Sequence, residues 1–253
     1  MNSAKASRPF FSVPSLAELV IIVIAICASI DVIAIGIGCY QATLLSRALT
    51  EQADQITNDT LRIIGTLQFI ARFTAFIVFL IWFYRAHQNL QALGVRRARY
   101  SSPWTVFLFL VPILNLYYAY DLVKELWRQS SPDLGFSDAF LKQHAFTLEH
   151  YPSKTALVGL WWGCMIASVF TARISLTIIS HPPSISDRMT GTWIDLISDA
   201  FAAAASILLI LIVRSTAARQ EEKRRRLTLN AVTRKALDLV VATELSRAAS
   251  SKN

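Results

Sequence analysis

Five segments of this chain, 16–40, 63–84, 103–120, 155–180 and 193–213, are apolar almost without interruption, and the polar residues gather between them. Each approaches the roughly 20 residues that span a hydrocarbon core about 30 Å thick. None alternates apolar and polar positions as a barrel strand does, so the pattern predicts helices that satisfy their own backbone inside lipid. The expected fold is all-α, an integral membrane helical bundle.

The third segment does not fit a simple count of crossings. The loop 85–102 holds Arg85, Arg96, Arg97 and Arg99 without an acid, and the residues from 214 onward hold ten basic against four acidic side chains. Excess Lys and Arg marks the cytoplasmic side of a membrane protein. The N-terminal flank, with Lys5 and Arg8, suits the same side. Five full crossings would place either the arginine loop or the C-terminal tail outside. Four transmembrane helices, at 16–40, 63–84, 155–180 and 193–213, with 103–120 re-entrant or surface-lying, place every strongly basic segment inside. The connections 41–62 and 181–192, where acids offset the few arginines, then fall on the outer face. This arrangement gives a cytoplasmic flank at 1–15, a membrane domain at 16–215 with a cytoplasmic segment at 121–154, and a basic amphipathic cytoplasmic tail at 216–253.

Pro112 supplies a physical reason for the exception. It lacks a backbone donor and turns the residue before it away from the α region, which predicts two half-helices, 107–111 and 113 onward. Backbone groups freed at membrane depth must be buried in protein, and Asn115 is placed to satisfy them. A kinked but complete span is the alternative.

Composition narrows the function classes. A content of 54% hydrophobic and 17% charged residues exceeds what a soluble core needs. The net charge of +8 does not point to nucleic acid, because the basic residues collect at the flanks of apolar segments. Cys27, Cys39 and Cys164 are isolated from one another, which gives neither a disulfide framework nor a zinc site. The first apolar segment is too long for a signal peptide and is expected to be an uncleaved anchor. His87, His144, His150 and His181 show no metal spacing and no nucleophile partner, and they read as solvated or interfacial. With no Gly-rich phosphate loop either, the chain is expected to be no enzyme and to carry no cofactor or metal.

One window holds a family signature. The residues Trp82-Phe-Tyr-Arg85-Ala-His-Gln-Asn89-Leu, Gly94, Tyr100-Ser-Ser-Pro103-Trp104, Pro112-Ile-Leu-Asn115-Leu and Glu125-Leu-Trp127-Arg128 resemble a bacterial membrane family catalogued as domain of unknown function 4328. Ala119 stands where that family's pattern has a second proline. The resemblance implies a bacterial cytoplasmic (inner) membrane address and a helical architecture, but no reaction. Within the window, Arg85 and Asn89 are four residues apart and share a helical face. With Asn115 they are expected to form a polar cluster at the cytoplasmic interface, either clamping the re-entrant turn or binding a ligand. Trp82, Tyr84, Trp104, Tyr117, Tyr118 and Trp127 are expected in an aromatic belt at the headgroups.

A second constellation lies deeper. At ~1.5 Å per residue, Asp31, Arg72, Arg173 and Asp199 fall roughly 9 to 14 Å from the outer ends of their spans, with Asp195 one turn from Asp199. Each ionised group near mid-membrane costs about 2.5 to 3.5 kcal/mol, so pairing is expected. Asp31 with Arg72 and Arg173 with Asp199 is the simplest assignment, since those helices are sequence neighbours. Such pairs either lock helices together or line an ion path.

Gly159, Gly163 and Ala167 repeat at four-residue spacing, a surface suited to close helix packing or to homo-oligomer contact. The tail opens with Arg219, Lys223, Arg224, Arg225 and Arg226, a cluster attracted to anionic lipid headgroups of the bilayer. Leu229, Val232, Ala236, Val240 and Thr243 then recur at helical intervals, as in an amphipathic helix that lies on the surface or pairs with another helix. Two functions follow. The first is a non-enzymatic scaffold or regulatory membrane protein. The alternative is a small channel or transporter using the intramembrane aspartates and arginines.

Overall fold

In a computed structural model of the chain, residues 10, 14–46, 51–95, 99–132, 155–179 and 185–250 are described. Six helices account for nearly all of them: α1 Pro14–Ser46, α2 Glu51–Ala92, α3 Ser102–Leu110, α4 Pro112–Gln129, α5 Ala156–Ile179 and α6 Ile185–Ser250. The described residues contain no strand. Four helices, α1, α2, α5 and α6, are long and apolar enough to cross a membrane. They contain the four expected spans, apart from a residue at each edge of 155–180. Lys5, Arg8, Arg96, Arg97, His144, His150, His181 and most of the 121–154 connection lie outside the described residues.

The long helices stand in the order α2, α1, α6, α5, with α1 packed on both α2 and α6, and α5 on α6. At Gly38 α1 comes close to α6, where a Cβ would stand 2.8 Å from Cδ2 of Leu196. By contrast, no heavy atom lies within 4 Å of where a Cβ would stand on Gly159 or Gly163. Those two glycines of the expected packing stripe therefore make no close approach within the chain.

The third apolar segment breaks as Pro112 requires. Val111 is extended, at φ −86° and ψ 112°, and Pro112 opens α4, where its missing N–H falls among the donors a helix start leaves unpaired. With nine residues, α3 rises about 14 Å, half of a hydrocarbon core. The chain then reverses. Tyr100 packs edge-on against Tyr118 with centroids 6.2 Å apart, and the backbone N–H of Arg99 donates to Glu125 Oε1 at 2.8 Å. The start of α3 thus lies beside the middle of α4, and the pair is an antiparallel hairpin.

Both outer ends of the hairpin meet one turn of α2. Ser102, at the start of α3, hydrogen-bonds His87 Nδ1 at 3.0 Å. Ser130, just past α4, accepts from Gln220 Nε2 at 3.1 Å, and the same nitrogen donates to the Ala86 carbonyl at 2.9 Å. In the gap between α2 and α5, α3 packs on α2, and α4 on both α2 and α5. At its tip Phe109 meets Phe79 and Phe83 edge-on, with centroids 5.8 and 5.0 Å apart.

Where α2 ends, Gly94 takes φ +81°. Its N–H donates to the Gln91 carbonyl at 3.2 Å, while Val95 N–H reaches back to Leu90 at 3.0 Å. That double return is a Schellman cap, whose left-handed residue favours glycine. Within the signature, Trp82 and Trp127 do not join an aromatic belt. They are core residues, 1% and 4% exposed, because Trp82 lies on the α2 face that the hairpin covers and Trp127 lies on α4 under Arg219 of α6. Trp104 and Tyr117 do point outward.

Single cysteines at Ser101 and Ser131, in a chain with Cys27, Cys39 and Cys164 replaced, should react with a membrane-impermeant maleimide from the same side of sealed vesicles. Labelling from opposite sides would rule out the hairpin as the course of the chain in the membrane.

Candidate functional site

Gln68 and Arg72 stand one turn apart on α2 and reach two carboxylates on two other helices. Arg72 Nη2 donates to Asp31 Oδ1 of α1 at 2.7 Å and lies 3.6 Å from Asp199 Oδ1 of α6. Gln68 Nε2 donates to the same two oxygens, at 3.0 and 3.1 Å. Three helices are therefore joined by four side chains holding two acids and one base. The Asp31 side chain is 1% exposed, and its second oxygen, Oδ2, has no hydrogen-bond partner among the described residues.

The expected Asp31–Arg72 pair is present, but the expected Arg173–Asp199 pair is not. Ser198 donates to the Ser168 carbonyl of α5 at 3.0 Å, so Ser198 marks the side of α6 that faces α5. Asp199, the next residue, is rotated about 100° from it and faces α1 and α2. Arg173 lies exposed on α5 and takes no part. Asp195, one turn from Asp199, hydrogen-bonds Ser175 of α5 instead.

Between this network and the hairpin tip is a cavity of about 280 Å³. Phe76, Phe79, Phe109, Trp161 and Trp162 give it aromatic walls, while Arg72 and Asn115 are its main polar groups. Asn115 is thus separated from Arg85 and Asn89, contrary to the single cluster expected at the interface. Its own N–H caps the break by donating to the Val111 carbonyl at 2.7 Å, and its side chain borders the cavity.

Asn89 and Arg85 stand at the other end of the hairpin. Asn89 is fully buried and donates to Gln220 Oε1 at 3.4 Å, whereas Arg85 is half-buried. Two cations expected to face lipid are instead committed to α4. The Arg219 guanidinium lies 3.9 Å over the Trp127 ring, and Lys223, 4% exposed, donates to the Gln129 carbonyl at 3.1 Å. They meet α4 where its last carbonyls lack helical partners and its dipole is negative. Arg224, Arg225 and Arg226 remain at the surface, paired with Glu221 and Glu222 at 2.6 to 3.2 Å. His87, read from sequence as solvated or interfacial, is 1% exposed beneath the hairpin.

Sequence reasoning missed Gln68, Gln220, Ser102 and Ser130. Gln68 carried a signal, four residues before Arg72 on the same helical face. For Gln220 there was none, since it stands beside a run of solvated charges.

A family model described as domain of unknown function (DUF4328) matches residues 45–218. No curated protein and no solved structure matches. The matched stretch holds Gln68, Arg72 and Asp199, while Asp31 and Gln220 lie outside it.

Arg72→Met should destabilise the protein by about 3–5 kcal/mol, because it leaves two acids without their counter-charge. Adding Asp31→Leu should restore only part of that, and a further Asp199→Asn should restore most of the rest. Thermal unfolding in detergent measures the series. Full recovery in the Asp31→Leu, Arg72→Met double variant would show that Asp199 stands outside the charge balance.

Proposed function

We propose that this chain, which belongs to the DUF4328 family, is a small channel or transporter that takes an apolar solute into its own helical bundle. The observation that carries the reading is the cavity set between the hairpin tip and a network with one more acid than base. Had the two acids been matched by two arginines, the charges could have been pure helix locks. The second arginine is absent from the network, and Arg72 opens onto the cavity. Intramembrane ionisable groups that face a cavity are by default candidates for a solute or ion pathway.

The cavity sets the size and chemistry of the solute. Since an apolar void of about 150 Å³ holds benzene, about 280 Å³ suits a body of two fused rings. The walls favour flat apolar surface. One hydrogen-bonding group on the solute would meet Arg72 or Asn115, which agrees with the few, placed polar groups usual in ligand pockets. In this reading the hairpin is re-entrant, enters and leaves on the side of the basic loop and tail, and blocks the cavity from that side. Both termini are then cytoplasmic and the address is the bacterial inner membrane, with positive charge inside.

A scaffold or regulatory role is the second reading, and the tail favours it. The helix α6 runs 66 residues without interruption, about 100 Å, and Leu229, Val232, Leu237 and Val240 are exposed along its last third. No break turns that stretch onto a bilayer surface. It extends the span instead, as a helix offered to a partner would.

Ala202→Phe places a ring in the cavity and leaves the four side chains of the charge network themselves unchanged. The variant should accumulate normally and lose quenching of tryptophan fluorescence by 1-naphthylamine, an effect that Trp161→Phe should also weaken. Equal quenching in wild type and Ala202→Phe, or no quenching in wild type, would remove the cavity as a solute site.

A further inference from the structure

We infer that Asp31 and Asp199 together bind one small monovalent cation, a proton or a sodium ion. This goes beyond the solute reading, because the site stands whether or not the cavity takes a solute. The two Oδ1 atoms flank the same Gln68 nitrogen and the same Arg72 nitrogen, so the carboxylates are held close. Arg72 balances one negative charge and leaves the other. Gln68 is neutral and adds only hydrogen bonds.

The surplus is not met from elsewhere in the packing. Around the pair, α1 presents Cys27, α2 presents Arg72, and α6 presents Asp195, a further acid. Toward this side α5 contributes the neutral Ser168, and the hairpin the neutral Asn115. Arg173, the other arginine at this depth, does not reach the pair. An unbalanced carboxylate in a low-dielectric interior is strongly disfavoured, and in practice it is neutralised. A second observation gives the cation an open ligand: Asp31 is 1% exposed, yet its Oδ2 has no hydrogen-bond partner among the described residues. A cation bound there fills the open oxygen and cancels the surplus charge at once. Proton and sodium ion share this chemistry, and both occur on either side of a cell membrane.

The test uses the full chain in nanodiscs of uncharged lipid, with the unfolding midpoint as readout. One arm varies pH in N-methylglucamine chloride, and the other replaces N-methylglucamine by sodium at constant ionic strength and pH. Wild type should be stabilised in one arm, progressively with cation concentration as mass action requires. Stabilisation by pH alone assigns the proton, and stabilisation by sodium at fixed pH assigns sodium. Asp199→Asn removes the surplus, so it should raise the midpoint at neutral pH without sodium and flatten the response. Asp31→Asn should do the same, and Asp199→Asn alone decides if that variant does not accumulate. Ala202→Phe should keep the full cation response while losing the naphthylamine signal, so failure of the solute site and failure of the cation site are read separately. A wild type indifferent to both cations, or a response unchanged in Asp199→Asn, overturns the inference.

Discussion

A helix broken at Val111 leaves backbone groups that need partners, and inside a bilayer only protein can supply them. Most of the bundle's arrangement answers that need. The gap between α2 and α5 receives the hairpin, aromatic rings of α2 meet its tip, and α6 holds its outer end through Arg219, Gln220 and Lys223. Trp82, Phe83 and His87 are buried for the same reason. They form the α2 wall against which the short helix pair lies.

Because the hairpin stops half-way, it cannot fill the gap along its whole length. What remains is the cavity, with the hairpin tip on one side and the Asp31–Gln68–Arg72–Asp199 network on the other. The two walls are mechanically linked. A single helix, α6, carries Asp199 in the network and Gln220 at the outer end of the hairpin, about 30 Å further along the same rod. Gln220 is the junction, since its amide ties α2 and the end of α4 to α6.

Much of this was legible in the chain. Length and apolarity identified the four long helices, and Pro112 identified the break, because both are local properties of backbone and solvent. Gly94 was legible as part of a signature, and its left-handed cap gives that glycine a physical role. Pairing of Asp31 with Arg72 was also within reach, since α1 and α2 are adjacent in sequence and in space. The same rule failed for Arg173 and Asp199. Adjacent helices do touch there, but the rotation of α6 turns Ser198 toward α5 and carries Asp199 away. A rotation is set by packing along the whole helix, and no single residue announces it.

The basic cluster shows the limit most clearly. Composition alone could not separate Lys223 from Arg224, although one is buried on a helix end and the other is solvated. The sequence by itself determined which segments are helices long enough to cross a membrane and where one apolar segment must break, because each follows from hydrophobicity, covalent geometry and rise per residue. Only the tertiary structure decided which acids share which base, which glycine is a contact, and that a cavity remains beside the charges. Those depend on how the helices rotate and lean against one another, a balance of many weak contacts spread over the described residues.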